Sequence, residues 1–519
     1  MISYSNSIVT AAVLLAVASR GSCQCQNSTR TVAISATIPF GASQKVDPSF
    51  PGFAFEQASF YNYSFDAQGN PNVFSQNLVN AVLNRTGGTP LLRVGGTSGD
   101  SGNFSSSQQT PTNFPADQFG PQFKGGVTLG PSYFDAFKNW PGAKFEFMVP
   151  FKNTSHSHTL KWAATGVDAI GIDNLYTLEI GNEPTFYPWF SKTNNTAGIE
   201  TYAKRYLSLQ DQLKQQIPAL DDKRIFQALD TAANAATKLK AKPAFEMGLN
   251  AVATSIRQVG FHYYQGHPGP RTFAELQGWI RHSVTVENMT NFTPNIRYLR
   301  NNHPAIGFAF TETGYNVGGG GGGLGNNLAS ALWAVDFQLY GMTANVSRVN
   351  WQQILRGSLH MWRAVEADGL PPAVTPNYYS QPFVADFIGR SGQTQVAPID
   401  VDDDADGTLV AYGAYESGKL VRVAVLNVDL WTPQNCTTRP HVGFTLEGLP
   451  NTTTQVQVHH LTAPDGALAE DGLTYAGLQW TYENNGVEKQ VGKDSNVLNV
   501  NGGVVKFPVR SSSAVMIVL

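Results

Sequence analysis

The stretch Tyr176 to Trp189, reading YTLEIGNEPTFYPW, restricts the fold more than any other part of the chain. Tyr176, Leu178 and Ile180 alternate in an apolar, β-branched run of the kind that forms a buried strand. The pattern breaks at Gly181-Asn182-Glu183-Pro184. Pro184 has no N–H to give to a ladder, so the strand cannot continue as a central one, and Glu183 is left at its C-terminal mouth. In a parallel α/β barrel that is the end where chemistry is done.

A second stretch has the same design. Ala305 to Gly314, AIGFAFTETG, is an apolar strand that ends on Glu312, 129 residues beyond Glu183 (312 − 183). If these are the fourth and seventh strands, three βα steps fit the interval, at a spacing suited to a large (β/α)8 barrel. Asn-Glu-Pro after an apolar strand resembles the acid/base motif of retaining glycoside hydrolases built on such barrels, which need a second carboxylate on another strand end.

The remaining strands are expected at Gly52–Glu56, Leu91–Asp100, Lys144–Pro150, Arg224–Leu229, Val259–Tyr264 and, as the eighth, Gly357–Trp362. After about Ile399 an Asp-rich run, DVDDDADG, gives way to short alternating strands, the pattern of an all-β sandwich. The predicted architecture is therefore α/β, a (β/α)8 TIM barrel followed by a C-terminal β-sandwich. Residues 1–23 read as a signal peptide, 24–44 as a strand joining the sandwich, 45–392 as the barrel and 393–519 as the sandwich. Ile8–Ala18 is an apolar run too short to span a bilayer and is followed by small residues, so a secreted product is expected.

N-x-S/T triplets begin at Asn27, Asn62, Asn84, Asn103, Asn153, Asn194, Asn288, Asn291, Asn345, Asn435 and Asn451, a density that suits a secreted glycoprotein. Cys25 and Cys436 are either a disulfide or two free thiols. A formal charge of −3 with 14% charged residues argues against nucleic acid or a charged membrane surface as the main partner. Asp402, Asp404 and Asp406 mimic the start of a calcium loop, but Gly413 stands where the closing Glu belongs, so the run reads as a solvated turn. No metal site and no cofactor are expected.

Glu183 as proton donor needs a carboxyl held neutral, and Glu312 as nucleophile needs one held ionised; two separate strand mouths allow both. Asn182 is either a sugar 2-hydroxyl contact or a turn residue. Tyr263 and Tyr264 face opposite sides of their strand, so only one can enter the mouth. The run Gly318–Gly323 is either an anion nest or a loop that binds nothing.

RVGGTSGD at Arg93–Asp100, EIGNEP at Glu179–Pro184, FHYY at Phe261–Tyr264 and TETG with its glycine run together resemble glycoside hydrolase family 79, whose members include β-glucuronidases and heparanases. The resemblance implies Glu183 as acid/base, Glu312 as nucleophile, and Asn182, Asp100 and Tyr263 as contacts to the sugar or the nucleophile. It also implies that Gly318 and Gly319 bind a glucuronate carboxylate. Two positions depart from the pattern: Val317 precedes the glycines where a tyrosine is usual, and His360 lies near the place of an eighth-strand tyrosine. His360, Arg356 or Arg363 would then supply positive charge. The expected activity is exo-acting removal of terminal glucuronic acid or its 4-O-methyl form from a glycan. A neutral-sugar β-glycosidase, an endo-acting heparanase-like enzyme and a silent carbohydrate-binding barrel are the alternatives.

Overall fold

In the computed structural model, residues 28–114, 126–153, 156–232, 238–266, 269–316, 324–401, 407–493 and 496–519 are described. Eight parallel strands close a barrel: Pro51–Glu56, Leu91–Gly95, Lys144–Val149, Leu175–Ile180, Phe226–Thr231, Ile256–Gly266, Gly307–Asn316 and Arg348–Gln353. Helices between them, such as Val73–Thr86, Asn195–Gln216 and Leu328–Thr343, pack against the outside of the barrel. No helix among the described residues is long and apolar enough to cross a membrane.

The eighth strand differs from the expected one. Arg348–Gln353, RVNWQQ, closes the barrel between Gly307–Asn316 and Pro51–Glu56. Gly357–Trp362 instead lies in the loop beyond it, and Trp362-Arg363 forms a short hairpin with Ala373-Val374. The reason is the polarity of the barrel interior. Arg348, Asn350 and Gln352 share one face of the strand and are all buried. Arg348 Nη1 and Asn350 Nδ2 donate to the two oxygens of Glu146, at 2.6 and 2.7 Å. A strand with polar residues on its buried inner face does not stand out as apolar.

Thr394–Ile399, Leu409–Glu416, Lys419–Asn427, Ser513–Val518 and Gln455–Thr462 form the main sheet of the sandwich, in that order. Its two faces are both buried, which follows from period-two alternation. Tyr412, Ala424, Leu426 and Met516 join the barrel's hydrophobic core, whereas Val423, Val425, Val515 and Ile517 pack within the sandwich against Phe444, Leu446, Phe507 and Val509. The last four belong to a second sheet of three strands, Ser28–Ala33, His441–Glu447 and Val504–Arg510. Ser28–Ala33 adds to it in parallel, from Ser28 opposite Val442 to Ala33 opposite Glu447. Cys436, just upstream of that pairing, is disulfide-bonded; Cys23 and Cys25 lie outside the described residues, as do Asp402, Asp404 and Asp406.

Candidate active site

Arg93, on the second strand, is the hub of the barrel mouth. Its side chain is fully buried and all three guanidinium nitrogens are used. Nε and Nη2 hold Glu179 at 3.0 and 2.7 Å, Nη1 donates to Glu312 Oε2 at 2.7 Å, and Nη2 also donates to Asn182 Oδ1 at 2.8 Å. A buried cation persists only with carboxylates matched to it, and its planar fork fixes them in geometry as well as charge. Because Asn182 Oδ1 accepts from Arg93, its amide is oriented with Nδ2 away from the guanidinium, one N–H reaching Thr97 Oγ1 at 3.5 Å and the second left for another partner.

Glu312 reaches the mouth because its strand is irregular. Phe261 pairs with Phe310 but His262 pairs with Glu312, so Thr311 is an extra residue. The bulge changes the alternation: Phe308 and Phe310 face the outer aromatic layer, where they meet Phe292. Thr311 and Glu312 then both turn inward, Thr311 donating to Asp230 Oδ1 at 2.8 Å. Bulges of this kind re-aim side chains beside functional sites. Burial works to raise the Glu312 carboxyl, but His262, Arg93 and the hydrogen bonds from Tyr264 and Arg93 outweigh it and hold it below the usual carboxylate range.

Glu183 stands opposite in a left-handed conformation, φ 53° and ψ 54°. For a non-glycine residue that is a strained state, kept only where the surroundings fix it. Its N–H donates to Asp230 O at 2.8 Å, and Asp230 itself has a positive φ of 39°. Glu183 is the more open of the two, with 21% of its side chain exposed against 10% for Glu312. His262 Nδ1 lies 3.2 Å from Glu183 Oε1 and 3.8 Å from Glu312 Oε2, so these two oxygens are no further apart than 7.0 Å (3.2 + 3.8).

The two tyrosines exchange the roles expected for them. Tyr264 donates its hydroxyl to Glu312 Oε1. Tyr263 points to the outer layer, stacked on Phe337 with ring centroids 4.8 Å apart, and hydrogen-bonds Gln265. Polarity along the strand carries the signal. Gln258, His262 and Tyr264 share one parity, whereas Val259, Phe261 and Tyr263 share the other, and in a barrel lined with polar groups the first set faces in.

Three other expected contacts are placed as follows. Asp100 is 3% exposed, accepts the Phe151 N–H at 2.9 Å and hydrogen-bonds Tyr187. The Tyr187 hydroxyl in turn accepts the Asn182 N–H at 2.9 Å. Asp100 therefore supports the Asn182 backbone from behind and is not brought to the carboxylate pair; burial raises its carboxyl to about 7. His360 is 3% exposed and its Nδ1 lies 3.0 Å from Ile354 O, so that nitrogen carries the proton and donates. Burial pushes its pKa down to about 4, which makes it a neutral group and not the positive charge expected of it. Arg356 is engaged with Asp368 at 3.3 Å, and Arg363 donates to Pro371 O. Gly318 and Gly319, with Val317, lie outside the described residues.

Residues that the sequence reading passed over complete the site. Glu56, at the end of the first strand, accepts from Ser98 N at 2.8 Å, from Ser98 Oγ and from Gln352 Nε2 at 3.3 Å. Burial, then the nearby Glu312 charge, raise it to about 7. Beside Glu312, Thr313, Tyr315, Trp351, Gln352 and His360 line one small pocket. Thr313 Oγ1, Tyr315 OH, Trp351 Nε1 and Gln352 Oε1 are buried there without a protein partner. The pocket is thus lined by hydrogen-bonding groups that carry no charge. Among the described residues no cluster of three or more His, Cys, Asp or Glu is arranged to hold a metal ion.

A closed parallel barrel, two glutamates facing each other at its C-terminal mouth and an attached β-sandwich define a glycoside hydrolase. Comparison with known proteins agrees. Residues 411–516 match the glycosyl hydrolase family 79 C-terminal beta domain. The chain is 24% identical over 528 residues to a beta-glucuronidase of Aspergillus niger, covering 95% of each chain. It is 24% identical over 500 residues to a beta-glucuronidase of Neurospora crassa, covering 88% of each. Its fold resembles that of a 4-O-alpha-L-rhamnosyl-beta-D-glucuronidase from Fusarium oxysporum 12S, with a TM-score of 0.77 at 19% identity over 94% of this chain and all of that one. A GH51 arabinofuranosidase from Xanthomonas axonopodis pv. citri shares the architecture at a TM-score of 0.63 and 17% identity, over 95% and 99% of the two chains. Together the C-terminal domain match and the two relatives support glycoside hydrolase family 79 for this chain.

Proposed function

We propose that the protein is a secreted, retaining β-glucuronidase that removes terminal glucuronic acid, or its 4-O-methyl form, from glycans by double displacement. The observation that carries the reading is the unequal treatment of the two carboxyls. Glu312 is held ionised by His262, Arg93 and Tyr264, as a nucleophile must be, while Glu183 is more open and, among the described residues, its carboxylate hydrogen-bonds the His262 ring alone. Glu183 protonates the leaving oxygen as Glu312 attacks the anomeric carbon. The leaving group departs, and Glu183 then takes a proton from the water that releases the sugar. The bound of 7.0 Å on one oxygen pair is compatible with the ~5–5.5 Å carboxyl separation of retaining enzymes. The Asn182 N–H2 group has one N–H directed to Thr97 Oγ1 at 3.5 Å, and its second N–H suits a sugar 2-hydroxyl.

The choice of glucuronide rests on the two beta-glucuronidase relatives. A neutral-sugar β-glycosidase is the second reading, favoured by the neutrality of His360. Hydrolysis of aryl β-glucuronide beside aryl β-glucoside, β-galactoside and β-xyloside by the secreted protein separates the two. Turnover of the glucuronide alone supports the first reading, and turnover of a neutral glycoside with the glucuronide untouched overturns it.

A further inference from the structure

Two N-x-S/T triplets, Asn103-Phe-Ser and Asn194-Asn-Thr, stand on loops that follow the second and fourth barrel strands, on the rim of the mouth. The loop after the third strand lies between them and ties them together. Lys152 Nζ donates to Ser101 Oγ at 3.2 Å, Trp189 Nε1 donates to Lys152 O at 3.1 Å, and Arg205 Nη2 donates to Asn153 O at 3.1 Å. The Arg205 guanidinium also sits over the Trp189 ring, 4.6 Å from its centroid. This flank of the rim is therefore one braced surface, and it carries the Glu183 loop.

Both asparagines are exposed on rigid supports. Asn103 begins a short strand paired with Thr128 and Leu129. Asn194 caps the helix Asn195–Gln216, its Oδ1 accepting the Ala197 N–H at 2.9 Å. That cap uses only the oxygen, so Nδ2 can carry a substituent without loss of the cap. Asn288 has the opposite setting: partly buried, it directs Nδ2 inward to Gln265 Oε1 at 3.5 Å and hydrogen-bonds Tyr263.

We propose that Asn103 and Asn194 carry N-linked glycans that form a collar on the aglycone side of the mouth, and that Asn288 stays bare. In the secretory pathway each Nδ2 attacks the anomeric carbon of a lipid-diphosphate-linked oligosaccharide. A C–N bond forms, the C–O bond to the diphosphate breaks, and the amide gives up one proton. Since Glu183 protonates the leaving oxygen, the aglycone leaves past its loop. The two glycans narrow that path, so slender aglycones are admitted and the interior of a polysaccharide is held off. The collar's role rests on the reading of Glu183 as acid/base; the modification itself does not.

The test uses full-length protein secreted from a fungal host. Glycans are released in heavy-oxygen water with the amidase that converts each glycosylated Asn to Asp, and peptides are mapped by mass. Label at Asn103 and Asn194 with none at Asn288 is expected; unlabelled rim sites, or a labelled Asn288, overturn the proposal. Ser105→Ala with Thr196→Ala then removes both triplets while keeping the Asn194 cap. Relative to the aryl glycoside that the enzyme cleaves, turnover of a polymeric substrate bearing the same sugar should rise several-fold, and an unchanged ratio refutes the collar. A protein that cleaves neutral glycosides alone would fail the glucuronidase reading and leave both of these comparisons standing.

Discussion

Tyr264→Phe isolates the hydrogen bond that keeps Glu312 ionised. The ring is retained, so packing is preserved and only the hydroxyl on Glu312 Oε1 is lost. A hydrogen bond to a charged group contributes about 1.5–3 kcal/mol. Its loss should therefore raise the Glu312 pKa from the depressed position that this bond helps to maintain. The sign follows from which form the bond favours. The hydroxyl donates more strongly to the carboxylate than to the neutral acid, so its removal disfavours ionisation, and the acid limb of kcat/KM moves to higher pH. The assay is the pH dependence of kcat/KM on the aryl glucuronide for wild type and variant. An acid limb that stays in place while the variant keeps its fold would show that Tyr264 does not set the state of Glu312.

Glu56→Gln should remove a pH dependence of stability: a carboxyl raised to about 7 in the folded state binds its proton more tightly than in the unfolded chain, so wild type loses stability as pH rises through that value. The loss is on the order of 3 kcal/mol, and the variant's Tm should be flatter than that of wild type between pH 5 and 8. Arg348→Met leaves Glu146 buried without its cation at the far end of the barrel, which should cost about 3–5 kcal/mol in denaturant unfolding with kcat of the folded enzyme unchanged. His360→Asn should leave the pH profile between pH 5 and 8 in place, because the imidazole is already neutral there. Glu183→Ala should slow substrates with poor leaving groups far more than activated aryl glycosides, and added azide should restore turnover by attacking the glycosyl-enzyme.

Both glutamates stand out in the sequence because each follows an apolar run, although only the Glu183 strand stops there, at Ile180, whereas the Glu312 strand runs on to Asn316. Seven of the eight barrel strands were legible for the same reason. The eighth was not: Arg348, Asn350 and Gln352 point into a barrel filled with Glu146, Arg93 and Glu179 instead of aliphatic layers, and an apolar search passes over such a strand. The same polar interior explains the exchange of Tyr263 for Tyr264. Asp100 was read as exposed chemistry because its burial depends on partners distant in sequence, Phe151 and Tyr187, and His360 because its loop folds back onto the carbonyl of Ile354, six residues earlier. The bulge at Thr311 left no local mark, since it arises from the register of two neighbouring strands.

The most direct test of the central claim is covalent trapping with a 2-deoxy-2-fluoro-β-glucuronyl fluoride, whose electron-poor ring slows breakdown of the glycosyl-enzyme. Peptide mapping of the inactivated protein should place a single sugar on Glu312, with no labelling of Glu312→Gln. A label on another residue, or an enzyme that hydrolyses aryl β-glucuronide with inversion and accumulates no adduct, would contradict Glu312 as the nucleophile of a retaining glucuronidase.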